Sequence, residues 1–168
     1  MPIELLTTVA ECAIAFAGFS ALIVIIPQLA GLPWRGQMAT GLWLMVSWSL
    51  TAFVFSWLPL VLSEIGVTEA NSLSWSSGLL GVAILVQGGL AARRDWKLAQ
   101  SGLAHPVEPP VFGAAGLAIL VAGLLLLNAV GVLPGAAHGW YLAALLSLFV
   151  LAAVPLSIFL GQLGSDRE

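Results

Sequence analysis

Few side chains in this sequence can do chemistry, and the first of them is Glu11. It is the only acid or base well inside the apolar stretch 7–26, beside Cys12 and followed by the small residues Ala13, Ala15, Ala17, Gly18 and Ala21. A carboxyl at that depth in a membrane helix is costly unless neighbouring helices supply partners, so it marks a candidate site for a proton, a cation or a ligand. The other reading is glue. A protonated acid donating to Asn128, Thr51 or a backbone carbonyl ties helices together, and desolvation favours that neutral form.

Depth decides which polar groups can meet it. At 1.5 Å per residue Glu11 lies roughly 12 Å below the start of its helix. Counting the other apolar runs in alternating direction brings Thr51, Ser56, Asn128 and Ser147 within about one or two turns of that level, an expected intramembrane polar site around Glu11. A thinner inner polar layer holds Ser20, Ser47 and Gln87. Two such layers outline either a path or a set of interhelical hydrogen bonds. Thr7, Ala15 and Gly18 share the helix face of Glu11, so Ala15 and Gly18 are expected helix-packing positions where a second backbone approaches closely.

Other chemistry is missing from the sequence. There is no Gly-x-Ser-x-Gly elbow, His-Glu-x-x-His pair, phosphate loop or dinucleotide fingerprint. His105 and His138 fall in loops on opposite sides of the membrane in the topology below, so they share no metal. One Glu supplies neither a nucleophile with its base nor a metal cluster, so no enzyme activity, no metal and no cofactor is expected. Cys12 is the only cysteine, so no internal disulfide forms. Five Lys and Arg against eight Asp and Glu leave no basic patch for nucleic acid.

The elements that must position these groups follow from composition. With 60% hydrophobic and 8% charged residues, and a mean hydropathy of +1.06, the 168-residue chain departs far from a soluble domain. The partner expected first is the lipid bilayer. Five apolar runs, about 3–26, 38–62, 73–92, 111–133 and 139–161, each approach the ~20 residues that cross ~30 Å of hydrocarbon. They are continuously apolar without the alternation of a membrane barrel, which predicts an all-α bundle of five transmembrane helices forming one domain over 1–168. The run 73–92 is the most diluted, by Ser74, Ser76, Ser77, Gly78, Gly81, Gly88 and Gly89. Pro27 and the Gly31-Leu32-Pro33 turn stop the first run, Pro109-Pro110 opens the fourth, and Pro155 is expected to kink the fifth or free a carbonyl for a neighbour.

Charge tests the count of five. Arg35, Arg93, Arg94, Lys97 and Arg167 then fall on one side, and Glu4, Glu64 and Glu69 on the other. Basic residues accumulate on the cytoplasmic side, which predicts an outside N-terminus and an inside C-terminus. Trp34, Trp57, Trp75, Trp96, Trp140 and Tyr141 lie near helix ends where an aromatic belt sits, whereas Trp43 and Trp48 are expected to pack. Met1-Pro2-Ile3-Glu4 lacks the basic start of a cleaved signal peptide, so the first helix is expected to be retained. The basic start of the loop 93–110 reads as a topology signal, since three basic residues fall short of a lipid head-group cluster. No internal repeat supports an inverted-repeat transporter.

Ala10-Glu11 together with Phe16-Ala17-Gly18-Phe19-Ser20 resembles the first helix of small, uncharacterised bacterial multi-pass membrane proteins. The resemblance spans one helix; it implies a bacterial inner-membrane location and brings no activity. The function expected is that of a structural or partner-binding membrane protein, acting as a homo-oligomer or with another membrane protein. The alternative is an oligomeric proton or cation channel, or a small-solute carrier, using Glu11.

Overall fold

The computed structural model describes residues 3–29, 36–100, 109–133 and 137–165. All regular structure among them is helical: α1 (Ile3–Leu29), α2 (Gly36–Glu64), α3 (Glu69–Gln100), α4 (Pro109–Ala129) and α5 (Ala137–Ser165). The Gly31-Leu32-Pro33 turn, Trp34, Arg35, His105 and Arg167 lie outside the described residues.

Two glycines set the ends that the sequence placed less well. α2 stops where Gly66 adopts φ +91°, with Gly66 N donating to Ser63 O and Val67 N to Leu62 O. α4 stops at Ala129 instead of 133, because Gly131 adopts φ +74° while its N donates to Asn128 O and Val132 N donates to Leu127 O. Both are Schellman endings, in which the left-handed residue lets the last turn satisfy its own carbonyls. The diluted run becomes the longest helix: α3 starts after Thr68, whose carbonyl accepts from Ser72 N, and continues past the apolar part through Arg93–Lys97.

Cross-helix contacts pair residues whose numbers keep a nearly constant sum, the mark of antiparallel neighbours. For α2 and α3 they are Pro59 with Ser72, Thr51 with Gln87, and Trp43 with Arg94. Between α3 and α4 Ser77 meets Asn128 and Gly81 meets Leu125, and between α2 and α5 Phe55 meets Tyr141 and Gly41 meets Pro155. Helices α2, α3, α4 and α5 thus form an antiparallel ring, α4 also packing on α5, and α1 docks on α2 with a lesser touch on α5 through the edge-to-face pair Phe16 and Phe149.

Leu80, Ile84, Leu125, Tyr141, Leu145 and Leu148 fill the ring, and Leu6, Val9 and Ala13 attach α1 to the same core. The outside is as apolar as the inside. Ile14, Val54, Val86, Ile119 and Val150 are each more than half exposed, while Ser49, Ser56, Ser72, Ser76, Ser77 and Asn128 are buried. A water-soluble bundle would reverse that distribution. Among the described residues four stretches, Gly41–Glu64, Glu69–Lys97, Phe112–Ala129 and Ala137–Ser157, are long and apolar enough to cross a membrane.

Candidate functional site

The polar groups concentrate at the end of the ring where α2 and α4 finish and α3 and α5 begin. Pro59 lies inside α2. It has no N–H to donate to the carbonyl four residues earlier, so an α-helix carrying it strands the Phe55 carbonyl. The Tyr141 hydroxyl donates to that carbonyl at 2.6 Å from a fully buried side chain. One turn further along α2, Ser72 Oγ donates to the Pro59 carbonyl at 2.7 Å. The sequence reading put Tyr141 in the aromatic belt; the structure puts it in the core, because the carbonyl freed by Pro59 needs a donor there. Trp57, Trp75, Trp96 and Trp140 are exposed near helix ends as a belt requires, Trp48 is buried, and Trp43 is half-buried beneath the Arg94 guanidinium, 4.2 Å from its ring centre.

Asn128 joins three helices. Its Nδ2 donates to Ser77 Oγ at 2.9 Å on α3 and makes a longer contact of 3.4 Å with the Ala137 carbonyl at the start of α5. At the rim above, His138 Nε2 lies 3.2 Å from Glu69 Oε1, both exposed. Deeper in the ring, Gln87 Nε2 donates to Thr51 Oγ1 at 2.5 Å, and Thr51 Oγ1 donates to Ser47 O at 2.8 Å.

These bonds redistribute the groups that the depth count assembled. Asn128 and Thr51 are partnered by Ser77 and Gln87, and neither is joined to Glu11. Thr51 and Gln87, assigned to different layers, are bonded to each other. Ser20, Ser56 and Ser147 each return their hydroxyl to their own helix, at Phe16 O, Ala52 O and Ala144 O. Such back-bonding satisfies a hydroxyl without a neighbour.

Glu11 stands apart. α1 buries Leu6, Val9, Ala10, Ala13 and Ser20 against the ring, and Glu11, Ala15 and Gly18 are exposed on its other side. No hydrogen bond or ion pair reaches Glu11 among the described residues. A Cβ added at Gly18 meets nothing within 4 Å among the described residues. No group of three metal-binding side chains occurs among the described residues.

Pro59, Ser72, Ser76, Ser77 and Tyr141 are the polar-site members that the sequence reading passed over. The signal for them was a proline inside an apolar helix, which calls for a donor from elsewhere, and serines at 72 and 76, one turn apart on α3. Comparison with protein-family models, with curated proteins and with solved structures finds no match to this chain.

Proposed function

We propose that the protein is a small five-span membrane protein that works by helix association, and that the face of α1 bearing Glu11, Ala15 and Gly18 is the surface it offers. The observation that carries this reading is an exposed carboxyl in an apolar helix, aligned with the exposed small residues Ala15 and Gly18, the latter open around its Cα among the described residues. A charged side chain at the centre of a membrane helix costs on the order of 3 kcal/mol on insertion scales, so a partner that shelters it stabilises the assembly.

A second copy is the partner proposed. Copies inserted in the same direction meet about an axis along the membrane normal, which sets each residue of the interface near its own counterpart. Small residues at Ala15 and Gly18 then let two backbones approach. The chain's cations sit at 35, 93, 94, 97 and 167, away from Glu11 in sequence and outside the apolar part of α1.

The five-span orientation, N-terminus outside and C-terminus inside, rests on the basic residues of one side and the acids of the other. The resemblance of the first helix favours a bacterial inner membrane. No enzyme activity is part of the reading. The channel or carrier alternative draws on the same carboxyl. The centre of the ring is filled by Leu80, Ile84, Leu125, Leu145 and Leu148, so a conducting route would run between copies, past Glu11. Measuring subunit number in nanodiscs tests association: a dimer or larger assembly that Gly18→Leu reduces to monomers agrees, and a monomeric native protein contradicts it. Proton or cation flux into liposomes that Glu11→Gln abolishes would favour the channel.

A further inference from the structure

Arg93, Arg94 and Lys97 lie near the end of α3 together with Trp96, and all four side chains are exposed. At about 100° per residue Arg93, Lys97 and Arg94 follow one another around one half of the helix with Trp96 beside Arg93, while the acid of the segment, Asp95, falls on the opposite side. No ion pair reaches the three cations among the described residues. One of them is held in place. The Arg94 guanidinium stands 4.2 Å from the centre of the Trp43 ring on α2, a cation–π contact that fixes a long side chain without neutralising it. A guanidinium presents its donors in a rigid fork that matches phosphate, and holding it beforehand lowers the cost of ordering it on a ligand.

Depth sets these cations among headgroups. Arg93 and Lys97 lie roughly 36 and 42 Å along α3 from Glu69, which stands with His138 at the exposed rim of the other end. A bilayer is ~30 Å thick across its hydrocarbon and about 40–45 Å with its headgroups, so a spanning α3 carries the three cations into the headgroup layer. Directly beneath them, on the same face at helical spacing, Val82, Val86 and Leu90 are exposed. A phosphate above an apolar stripe is the pattern of a lipid, and a free anion has no use for the stripe. By number, three cations fall short of the about 4–8 that hold a flexible segment on an anionic membrane surface. The fold adds a shared face, a shared level and a clamp on Arg94. Arg35, Glu108, Asp166, Arg167 and Glu168 lie outside the described residues, and the site draws on none of them.

We propose that Arg93, Arg94 and Lys97, with Arg94 clamped by Trp43, bind the phosphate of an anionic phospholipid whose acyl chains lie along Val82, Val86 and Leu90. This site is independent of how α1 associates.

Native mass spectrometry of the full chain released from nanodiscs of equimolar phosphatidylglycerol and phosphatidylcholine tests it, by reading which lipid stays bound. The native protein is expected to retain phosphatidylglycerol in preference. Arg94→Ala is expected to lower that preference about five-fold, the weight of one cation at a membrane surface. Trp43→Leu, which keeps every charge, is expected to lower it as well, and Arg94→Lys, which keeps the charge and loses the planar fork, is expected to fall between Arg94→Ala and the native protein. Inorganic phosphate added at the concentration of the lipid is expected to leave the bound lipid in place. Equal retention of the two lipids by the native protein overturns the site, as does a preference that Arg94→Ala or Trp43→Leu leaves intact. Loss of the lipid to inorganic phosphate would assign the cations to a free anion and overturn it too.

Discussion

The Tyr141 hydroxyl donates to the Phe55 carbonyl at 2.6 Å, and Phe55 is the residue whose helical donor is missing because Pro59 follows four residues later. One side chain on α5 thus repairs a break on α2, which ties the two helices at a fixed register. Tyr141→Phe leaves a buried carbonyl unsatisfied and is expected to destabilise the protein by about 1–3 kcal/mol. Pro59→Ala restores an N–H for that carbonyl, so in its background the cost of Tyr141→Phe shrinks. Equilibrium unfolding in detergent of the two single variants and the double variant measures the coupling; equal costs of Tyr141→Phe in both backgrounds would contradict the repair.

Glycines on α3 separate into two kinds. A Cβ at Gly81 stands 3.2 Å from the Ala122 carbonyl, 3.2 Å from Leu126 Cγ and 3.4 Å from Leu125 Cβ, whereas one at Gly89 meets nothing within 4 Å. Gly81→Ala is expected to push α3 from α4 and cost about 1–3 kcal/mol, as overpacking does. Gly89→Ala is expected to be neutral or to stabilise by up to ~1 kcal/mol, through helix propensity. Thermal unfolding of the pair in one detergent checks the contrast.

Thr51 and Gln87 form a direct polar link between α2 and α3 deep in the ring. Interhelical hydrogen bonds of this kind average about 0.6 kcal/mol and reach about 1.7 kcal/mol. Thr51→Val removes the acceptor and strands the Gln87 amide, so its cost falls toward the upper figure, while Thr51→Val with Gln87→Leu recovers part of it. Unfolding of the single and double variants reads this; a double variant less stable than the sum of the singles would contradict it.

The proposed orientation predicts the labelling of introduced cysteines. In a Cys12→Ala background, Glu64→Cys reacts with a membrane-impermeant maleimide from outside the cell, and Lys97→Cys reacts only after the membrane is opened. α3 alone sets these ends apart, since Glu69 begins it and Lys97 lies in its last turn. The opposite pattern would reverse the orientation, and labelling of both from outside would remove α3 from the membrane.

The helices were legible in the sequence because long apolar runs punctuated by proline and glycine leave few alternatives, and even the diluted run formed. Their ends at Gly66 and Gly131 were less so, because a glycine inside an apolar stretch reads as a packing residue until its φ is known. The polar bonds were the least legible. A depth count fixes the level of a side chain and says nothing of its direction around the helix axis. Thr51 and Asn128 therefore stood near the level of Glu11 on paper, while in the structure they point to Gln87 and Ser77. Ser20, Ser56 and Ser147 turned to their own carbonyls, an option open to every hydroxyl in a helix and invisible in the spacing.

The outward face of α1 is tested most directly by cross-linking in the membrane. In a Cys12→Ala background, Ala15→Cys places a thiol on the proposed interface and Ala13→Cys places one against α2, where Ala13 is fully buried. Mild oxidation is expected to give a covalent dimer with Ala15→Cys and none with Ala13→Cys, and Gly18→Leu added to Ala15→Cys is expected to abolish it. Monomer alone with Ala15→Cys, under conditions that cross-link a dimeric membrane protein of similar size, would contradict association through this face.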